Sequence, residues 1–264
     1  MKKTAIANQK GGVGKTATVL GLCSAATALG HRILAVDLDP QGNLTRGLGV
    51  DVSQLGDDTA TANELLLELQ EGTALDAAVA TPWPGIDVIP ATLDLANRDL
   101  DGANDVIFRL RAAFEGCDLS AYDAVLFDCP PSVGRLLVGA LVAADQVIYV
   151  TEASIDSLGG IKNVQDTTSF VKKRVNPAIE IAGIVITKRE NNGEEEFREA
   201  EIRDAYGELV AKTVIPKRAA WKDANGLATP IHSMRGSAGA RALSTAFTDL
   251  FLELPITEPV TAGR

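Results

Sequence analysis

The segment Gln9-Lys10-Gly11-Gly12-Val13-Gly14-Lys15-Thr16-Ala17-Thr18 constrains this chain more than any other stretch. It sits between an apolar run, Thr4 to Asn8, that reads as a short strand and an apolar-periodic run, Ala17 to Leu29, that reads as a helix. Glycines at 11, 12 and 14 let the backbone take positive φ and approach an anion closely, so successive N–H groups can point at phosphate oxygens. A helix starting near Lys15 adds the positive end of its dipole. Lys15 is spaced to reach the β- and γ-phosphates, and the Thr16 hydroxyl to ligate Mg²⁺. The spacing fits G-x-x-x-x-G-K-[ST] only with Lys10 in the first glycine position. The expected nucleotide contacts are therefore Lys10, Gly11, Gly12, Val13, Gly14, Lys15, Thr16 and Ala17.

Further apolar strand-like runs alternate with helical patterns. Strands are expected at Arg32 to Asp37, Ile86 to Pro90, Ala124 to Asp128, Gln146 to Thr151, Ile179 to Thr187 and Lys212 to Val214. Helices are expected at Ala103 to Glu115, Ser157 to Arg174, Glu194 to Leu209 and Gly239 to Leu252. Such alternation implies an α/β fold, a doubly wound, mostly parallel sheet flanked by helices, with ligands at the carboxyl ends of its strands. At 264 residues and 46% apolar composition the chain suits one compact domain, taken as residues 1–254, with 255–264 a loose tail.

Two acidic segments, with three carboxylates between them, follow from this topology. In Val36-Asp37-Leu38-Asp39-Pro40-Gln41-Gly42-Asn43 two carboxylates lie just past a strand, where one can orient an attacking water or a magnesium shell. In Ala124-Val125-Leu126-Phe127-Asp128-Cys129-Pro130-Pro131-Ser132 an apolar strand ends in an acid, the arrangement that supplies a carboxylate to a magnesium shell. Thr16, Asp37 and Asp128 are the metal candidates, Asp37 having the alternative of holding its loop. Cys129 reads as a packed small residue, because the chain's two histidines, His31 and His232, are far from it in sequence.

Composition excludes several classes. The three cysteines, Cys23, Cys117 and Cys129, form no C-x-x-C pair, so neither a disulfide framework nor a zinc site is indicated. The apolar run after Met1-Lys2-Lys3 ends at Asn8 and is too short for an export signal, and Asp145 interrupts the longest apolar stretch, Leu136 to Val150. A cytoplasmic protein is expected. The net charge of −10 opposes non-specific attraction to nucleic acid, yet Lys212 to Arg241 is locally basic. Lys217, Arg218, Lys222, Arg235 and Arg241 are the candidates for contact with DNA.

The lysine at the head of the loop, the pattern V-D-x-D-P-Q-G-N and the strand-terminal Asp128 with its double proline resemble the deviant Walker A family of ParA and MinD, and more narrowly the small, Soj-like ParA class. The resemblance spans Lys3 to about Leu252. It implies an ATPase of weak basal activity using ATP and Mg²⁺, with Lys10 and Lys15 catalytic and Asp39 activating the water. Lys10 would reach the nucleotide of a second subunit in an ATP-dependent homodimer. The segment after Asp128 would sense the γ-phosphate. Thr187-Lys188 resembles the start of a base-reading motif without its guanine-selecting acid, favouring ATP, and Pro216 falls where the family lines adenine with proline backbone. The implied partners are non-specific double-stranded DNA and a ParB-like centromere-binding protein that stimulates hydrolysis, placing the ATP state on the nucleoid. Thr151-Glu152 and Trp221-Lys222-Asp223-Ala224 depart from the family pattern.

Three rivals share parts of this chemistry. A MinD-like membrane regulator should end in a basic amphipathic helix, whereas Ala242 to Leu254 carries Asp249 and Glu253 and no lysine, so no stable membrane association is expected. A metabolic enzyme of the superfamily would need paired cluster cysteines or a substrate pocket. A positioning ATPase for another cargo would look the same in sequence.

Overall fold

In a computed structural model the described residues are 1–56, 59–234 and 236–257. They build a seven-stranded sheet, β1 (Lys2–Ala7), β2 (Ile33–Asp37), β3 (Val79–Ala80), β4 (Ile86–Ile89), β5 (Ala124–Asp128), β6 (Gln146–Glu152) and β7 (Glu180–Thr187), in the order β3-β4-β2-β5-β1-β6-β7. Every pairing is parallel except that of the short edge strand β3 with β4. The helices are α1 (Lys15–Leu29), α2 (Asn43–Gly47), α3 (Ala62–Leu65), α4 (Ala96–Leu100), α5 (Val106–Phe114), α6 (Arg135–Ala143), α7 (Ser157–Arg174), α8 (Gly193–Tyr206), α9 (Ala220–Gly226) and α10 (Ala238–Glu253). This is the expected α/β fold, a mostly parallel sheet between helical layers.

The central strands are apolar on both faces because both are covered. Alternate residues part to opposite sides: Ala5, Val125, Phe127, Val147 and Tyr149 pack with α5, α6 and α7, while Ile6, Leu126, Ile148 and Val150 pack with α1 and α10. Helix α10 shows the expected spacing, burying Ala240, Leu243, Phe247 and Leu250, and the Ser237 hydroxyl accepts from the Ala240 N–H at 3.2 Å to cap it. Helix α1 is buried on most sides, with small residues where α10 crosses. At Gly21 an added Cβ would lie 2.3 Å from the Phe247 ring. Gly30 at φ 80 ends α1, and the His31 N–H returns to the Ala26 carbonyl at 2.9 Å.

Four expectations change. No strand forms at Lys212 to Val214: the N–H groups of Lys212 and Thr213 donate to the Glu253 carboxylate, so ladder pairing shrinks to isolated parallel bridges at Val210 and Pro216. The helix expected from Glu194 to Leu209 ends at Tyr206 and continues as a 3₁₀ turn, Gly207–Leu209, because Gly207 turns the chain at φ 54. The helix expected from Ala103 starts at Val106, since the Asp101 carboxylate takes the Ala103 N–H into a turn. The tail expected to be loose from Pro255 is anchored at its start, where Ile256 is fully buried and the Gln146 amide donates to the Pro255 carbonyl at 2.7 Å. Residues 258–264 lie outside the described residues. Helix α6, which overlaps the apolar stretch Leu136 to Val150, covers the sheet, and no helix among the described residues is long and apolar enough to cross a membrane.

The crossing at Gly21 yields a stability prediction. A helix-interior glycine replaced by alanine gains roughly 0.5–1 kcal/mol of helix propensity, but overpacking costs about 1–3 kcal/mol. With the ring so close the second effect should win: Gly21→Ala should lower Tm by several degrees, and Gly21→Ala with Phe247→Leu should recover much of the loss. A Gly21→Ala protein melting at or above wild type would contradict this packing.

Candidate nucleotide-binding site

The carboxyl ends of β1, β2, β5, β6 and β7 meet at one edge of the sheet. The glycine-rich loop leaves β1 at Asn8, whose buried amide donates to the Val150 carbonyl at 2.7 Å and whose side-chain oxygen accepts the Lys10 N–H at 2.9 Å. Gly12 (φ 80) and Gly14 (φ 94) take the left-handed conformation the loop requires. From the far side the Thr187 hydroxyl donates to the Val13 carbonyl at 2.6 Å, and a Cβ on Gly14 would lie 3.1 Å from that oxygen. The loop is therefore clamped by the ends of two later strands, and α1 starts when the Thr18 N–H and hydroxyl both reach the Gly14 carbonyl.

Lys15 is only 6% exposed. Its ammonium donates to the Lys10 carbonyl at 3.3 Å, and burial lowers its pKa, an effect partly offset by Asp128 and Asp39. Asp37 and Asp128 are register partners on β2 and β5 and both are fully buried. Asp37 Oδ2 accepts from the Thr45 N–H (2.8 Å) and hydroxyl (2.7 Å), and Oδ1 from the Asp39 N–H (3.2 Å). Burial still pushes its pKa up to about 6. Neither oxygen of Asp128 has a hydrogen-bond partner among the described residues; burial first and Asp37 second raise its pKa well above the carboxylate range. The nearby Thr16 side chain and Lys15 oppose that rise without completing a bond to Asp128.

Gly11, Gly12, Gly14, Lys15, Thr16, Ala17 and Asp39 line one cleft of about 300 Å³, with Asn43, Pro131, Lys188, Trp221 and Asn225 on its other walls. Asp39 is half-buried there, Oδ1 accepting the Gln41 N–H at 2.9 Å. A second cavity of about 230 Å³ adjoins, sharing Gly14, Ala17, Lys188 and Trp221 and adding the apolar Ile215, Pro216, Leu243 and Phe247. Pro216 is positioned by its parallel bridge to Arg189. Lys188, at φ 54, pairs with Glu152 at 2.7 Å and donates to the Gly12 carbonyl, so the departure at Glu152 acts on the loop. Cys129 is buried, and burial pushes its thiol pKa up, which fits a packing role.

The remaining candidates lie further out. Lys10 is 41% exposed and pairs with the exposed Asp156 at 3.3 Å, a solvent-screened contact that holds it weakly. Lys217, Arg218 and Lys222 line the mouth of the second cavity. Lys217 is paired with Glu190 at 2.7 Å, and Arg218 packs beside Gly239 at the start of α10, two residues before exposed Arg241. Arg235 lies outside the described residues. The sequence reading missed Asn8, Thr45, Glu152 and Trp221. Asn8 carried a local signal as a polar residue closing an apolar strand, and Glu152 and Trp221 were visible only as departures from the family pattern.

No cluster of three or more His, Cys, Asp or Glu side chains that could hold a metal unaided occurs among the described residues. The donor set, a threonine hydroxyl and a buried unpartnered carboxylate beside a phosphate-sized cleft, fits Mg²⁺, which keeps most of its waters and shares phosphate oxygens.

A raised carboxyl pKa, about 6 for Asp37 and well above the carboxylate range for Asp128, means that the folded protein holds its proton more tightly than the unfolded chain, so this contribution to stability is largest below the ordinary carboxylate range and falls as pH rises through the raised pKa. Asp128→Asn should therefore melt higher than wild type at pH 7.5 without ligand, with the gain shrinking toward pH 4. A variant melting lower than wild type at pH 7.5 would contradict the buried-charge assignment.

Residues 1–181 match the AAA domain family. The chromosome partitioning protein ParA of Caulobacter vibrioides is 37% identical over 236 residues, 88% of this chain and 86% of that protein. The sporulation initiation inhibitor protein Soj of Bacillus subtilis is 34% identical over 235 residues, 87% of this chain and 90% of that protein. Among solved structures, cobyrinic acid a,c-diamide synthase from Mycobacterium smegmatis with bound ADP and magnesium is 31% identical with a TM-score of 0.75, covering 98% of this chain and 100% of that one. Apo McdA of Cyanothece shares the fold at a TM-score of 0.80 and 22% identity, over 94% of this chain and 98% of that one. The match over most of both chains and the loop with two lysines agree: the chain belongs to the ParA/Soj family of chromosome-partitioning P-loop proteins.

Proposed function

We propose that the chain, as one domain over residues 1–254, is an ATP-hydrolysing partition protein that dimerises with ATP, binds DNA without sequence preference and is released when a ParB-like partner stimulates hydrolysis. The observation that carries this reading is the continuity of the phosphate cleft, with Lys15, Thr16 and Asp39 in its walls and Asp128 buried beside Lys15 and Thr16, into an apolar cavity of base size. The loop N–H groups and Lys15 hold the phosphates. Thr16 and Asp128 would hold a Mg²⁺ ion and its waters, which would supply positive charge beside the phosphates. Asp37, its oxygens already engaged by Thr45 and the Asp39 N–H, positions the loop that bears Asp39. Asp39 orients the attacking water, and Pro216 and Lys188 border the adenine. Lys10 leaves Asp156 and reaches the phosphates of the second subunit. Lys217, Arg218, Lys222, Arg235 and Arg241 supply phosphate contacts to DNA, doubled in the dimer. Each neutralised phosphate adds counterion release, so the dimer should bind more tightly and with a steeper salt dependence than the monomer. A cytoplasmic protein that rides the nucleoid in its ATP state follows.

A second reading has one supporting observation. The likeness to the cobyrinic acid a,c-diamide synthase accompanies a cavity of about 730 Å³ beside Pro40 and Gly42, lined also by Arg46 and Thr92, where a carboxylate substrate would fit.

Asp39→Ala should bind ATP and dimerise yet show little turnover. In that background DNA binding should require ATP rather than ADP and should fall by orders of magnitude between about 50 and 200 mM salt. Binding that ignores the nucleotide would refute the partition reading, and wild-type turnover stimulated by a small carboxylate but not by DNA would favour the synthase. Lys10→Ala should keep ATP affinity while losing ATP-dependent dimerisation in sedimentation; a normal dimer would remove the cross-subunit role.

A further inference from the structure

We propose that Trp221 is the aromatic platform on which the base and sugar of a bound purine nucleotide rest, a contact supplied by α9 and separate from the phosphate loop. The proposal rests on the nucleotide reading above and deepens it. Four residues, Gly14, Ala17, Lys188 and Trp221, line both the phosphate cleft and the apolar cavity beside it. Of these only Trp221 has a π face.

The ring is held by a neighbour in the same cavity wall. Its centroid lies 5.5 Å from that of Phe247 at an interplanar angle of 46°, and Phe247 is itself buried against the side-chain-free surface of Gly21. The support therefore runs from the phosphate-loop helix through α10 to the indole, which gives a pre-positioned face. The Trp221 indole N–H makes no hydrogen bond among the described residues, whereas that of the chain's other tryptophan, Trp83, donates to the Ala228 carbonyl at 2.8 Å from a buried position. Trp83 is thus satisfied by the fold, and Trp221 keeps both a free donor and a half-exposed ring at the neck between the two cavities. Stacking on an aromatic ring is available to every base, so Trp221 contributes affinity for the nucleoside half of the ligand, and base choice is left to Pro216 and Lys188.

The test separates the nucleoside from the phosphates. Titration calorimetry with Mg²⁺·ADP and with Mg²⁺·tripolyphosphate would be run on wild type, Trp221→Ala and Trp221→Phe, with Tm recorded for each. Stacking of ordinary strength predicts that Trp221→Ala weakens ADP about 10- to 100-fold and leaves tripolyphosphate within about 2-fold. Trp221→Phe, which keeps a ring on Phe247, should recover most of the ADP affinity. Unchanged ADP binding in a folded Trp221→Ala protein would overturn the proposal, as would equal losses for both ligands, which would mark Trp221 as a purely structural support. Failure of the wild type to bind either ligand would instead overturn the nucleotide reading itself.

Discussion

The structure is organised around a charge problem: Asp37 and Asp128 are register partners on neighbouring strands, fully buried, with Lys15 the nearby cation. Hydrogen bonds from Thr45 and the Asp39 N–H satisfy Asp37, whereas Asp128 has no partner among the described residues. Burying like charges costs free energy unless a cation and hydrogen bonds compensate. On the proposed function this pair stands where a ligand of opposite charge would bind, beside the cleft of about 300 Å³. Stability and function are therefore opposed at these two positions.

Around that pair the elements converge through backbone geometry. The loop has left-handed residues at Gly12 and Gly14, and the end of β7 has another at Lys188, which reaches back to the Gly12 carbonyl while paired with Glu152. Thr187 clamps Val13 from the same strand end. On the other flank the Thr45 hydroxyl, bonded to Asp37, also accepts the Ala91 N–H at 3.1 Å, tying the Asp39 loop to the segment after β4. A change at the phosphates has direct bonded routes to both flanks, where the larger open cavity and the Lys188 contact lie.

The parts that were legible in the sequence are those where local chemistry and global fold coincide. The loop, the buried parallel strands and the strand-terminal acids each announce themselves through glycine spacing, β-branched runs and an acid closing an apolar segment. What was illegible depended on partners distant in sequence. Lys212 to Val214 has strand composition, but Glu253, some 40 residues away, captures its N–H groups. The clamping role of Thr187 and the capture of Lys188 by Glu152 arise only when β6 and β7 lie side by side. Trp221 stands out in sequence only as part of a departure from the family pattern, and it becomes part of the cleft wall through a short helix whose indole lies against Phe247. The two aspartates were legible as acids near phosphate, but the division of labour between a satisfied Asp37 and an unpartnered Asp128 required the position of Thr45.

The most direct test of the central claim is thermal denaturation of the wild-type protein at pH 7.5 with no ligand, with a non-hydrolysable ATP analogue plus EDTA, and with that analogue plus Mg²⁺. If the buried carboxylates await a nucleotide-bound cation, the analogue with Mg²⁺ should raise Tm well beyond the analogue with EDTA, by about 2.7 kcal/mol of stabilisation at a hundredfold excess over Kd. Equal melting in all three conditions would contradict the account.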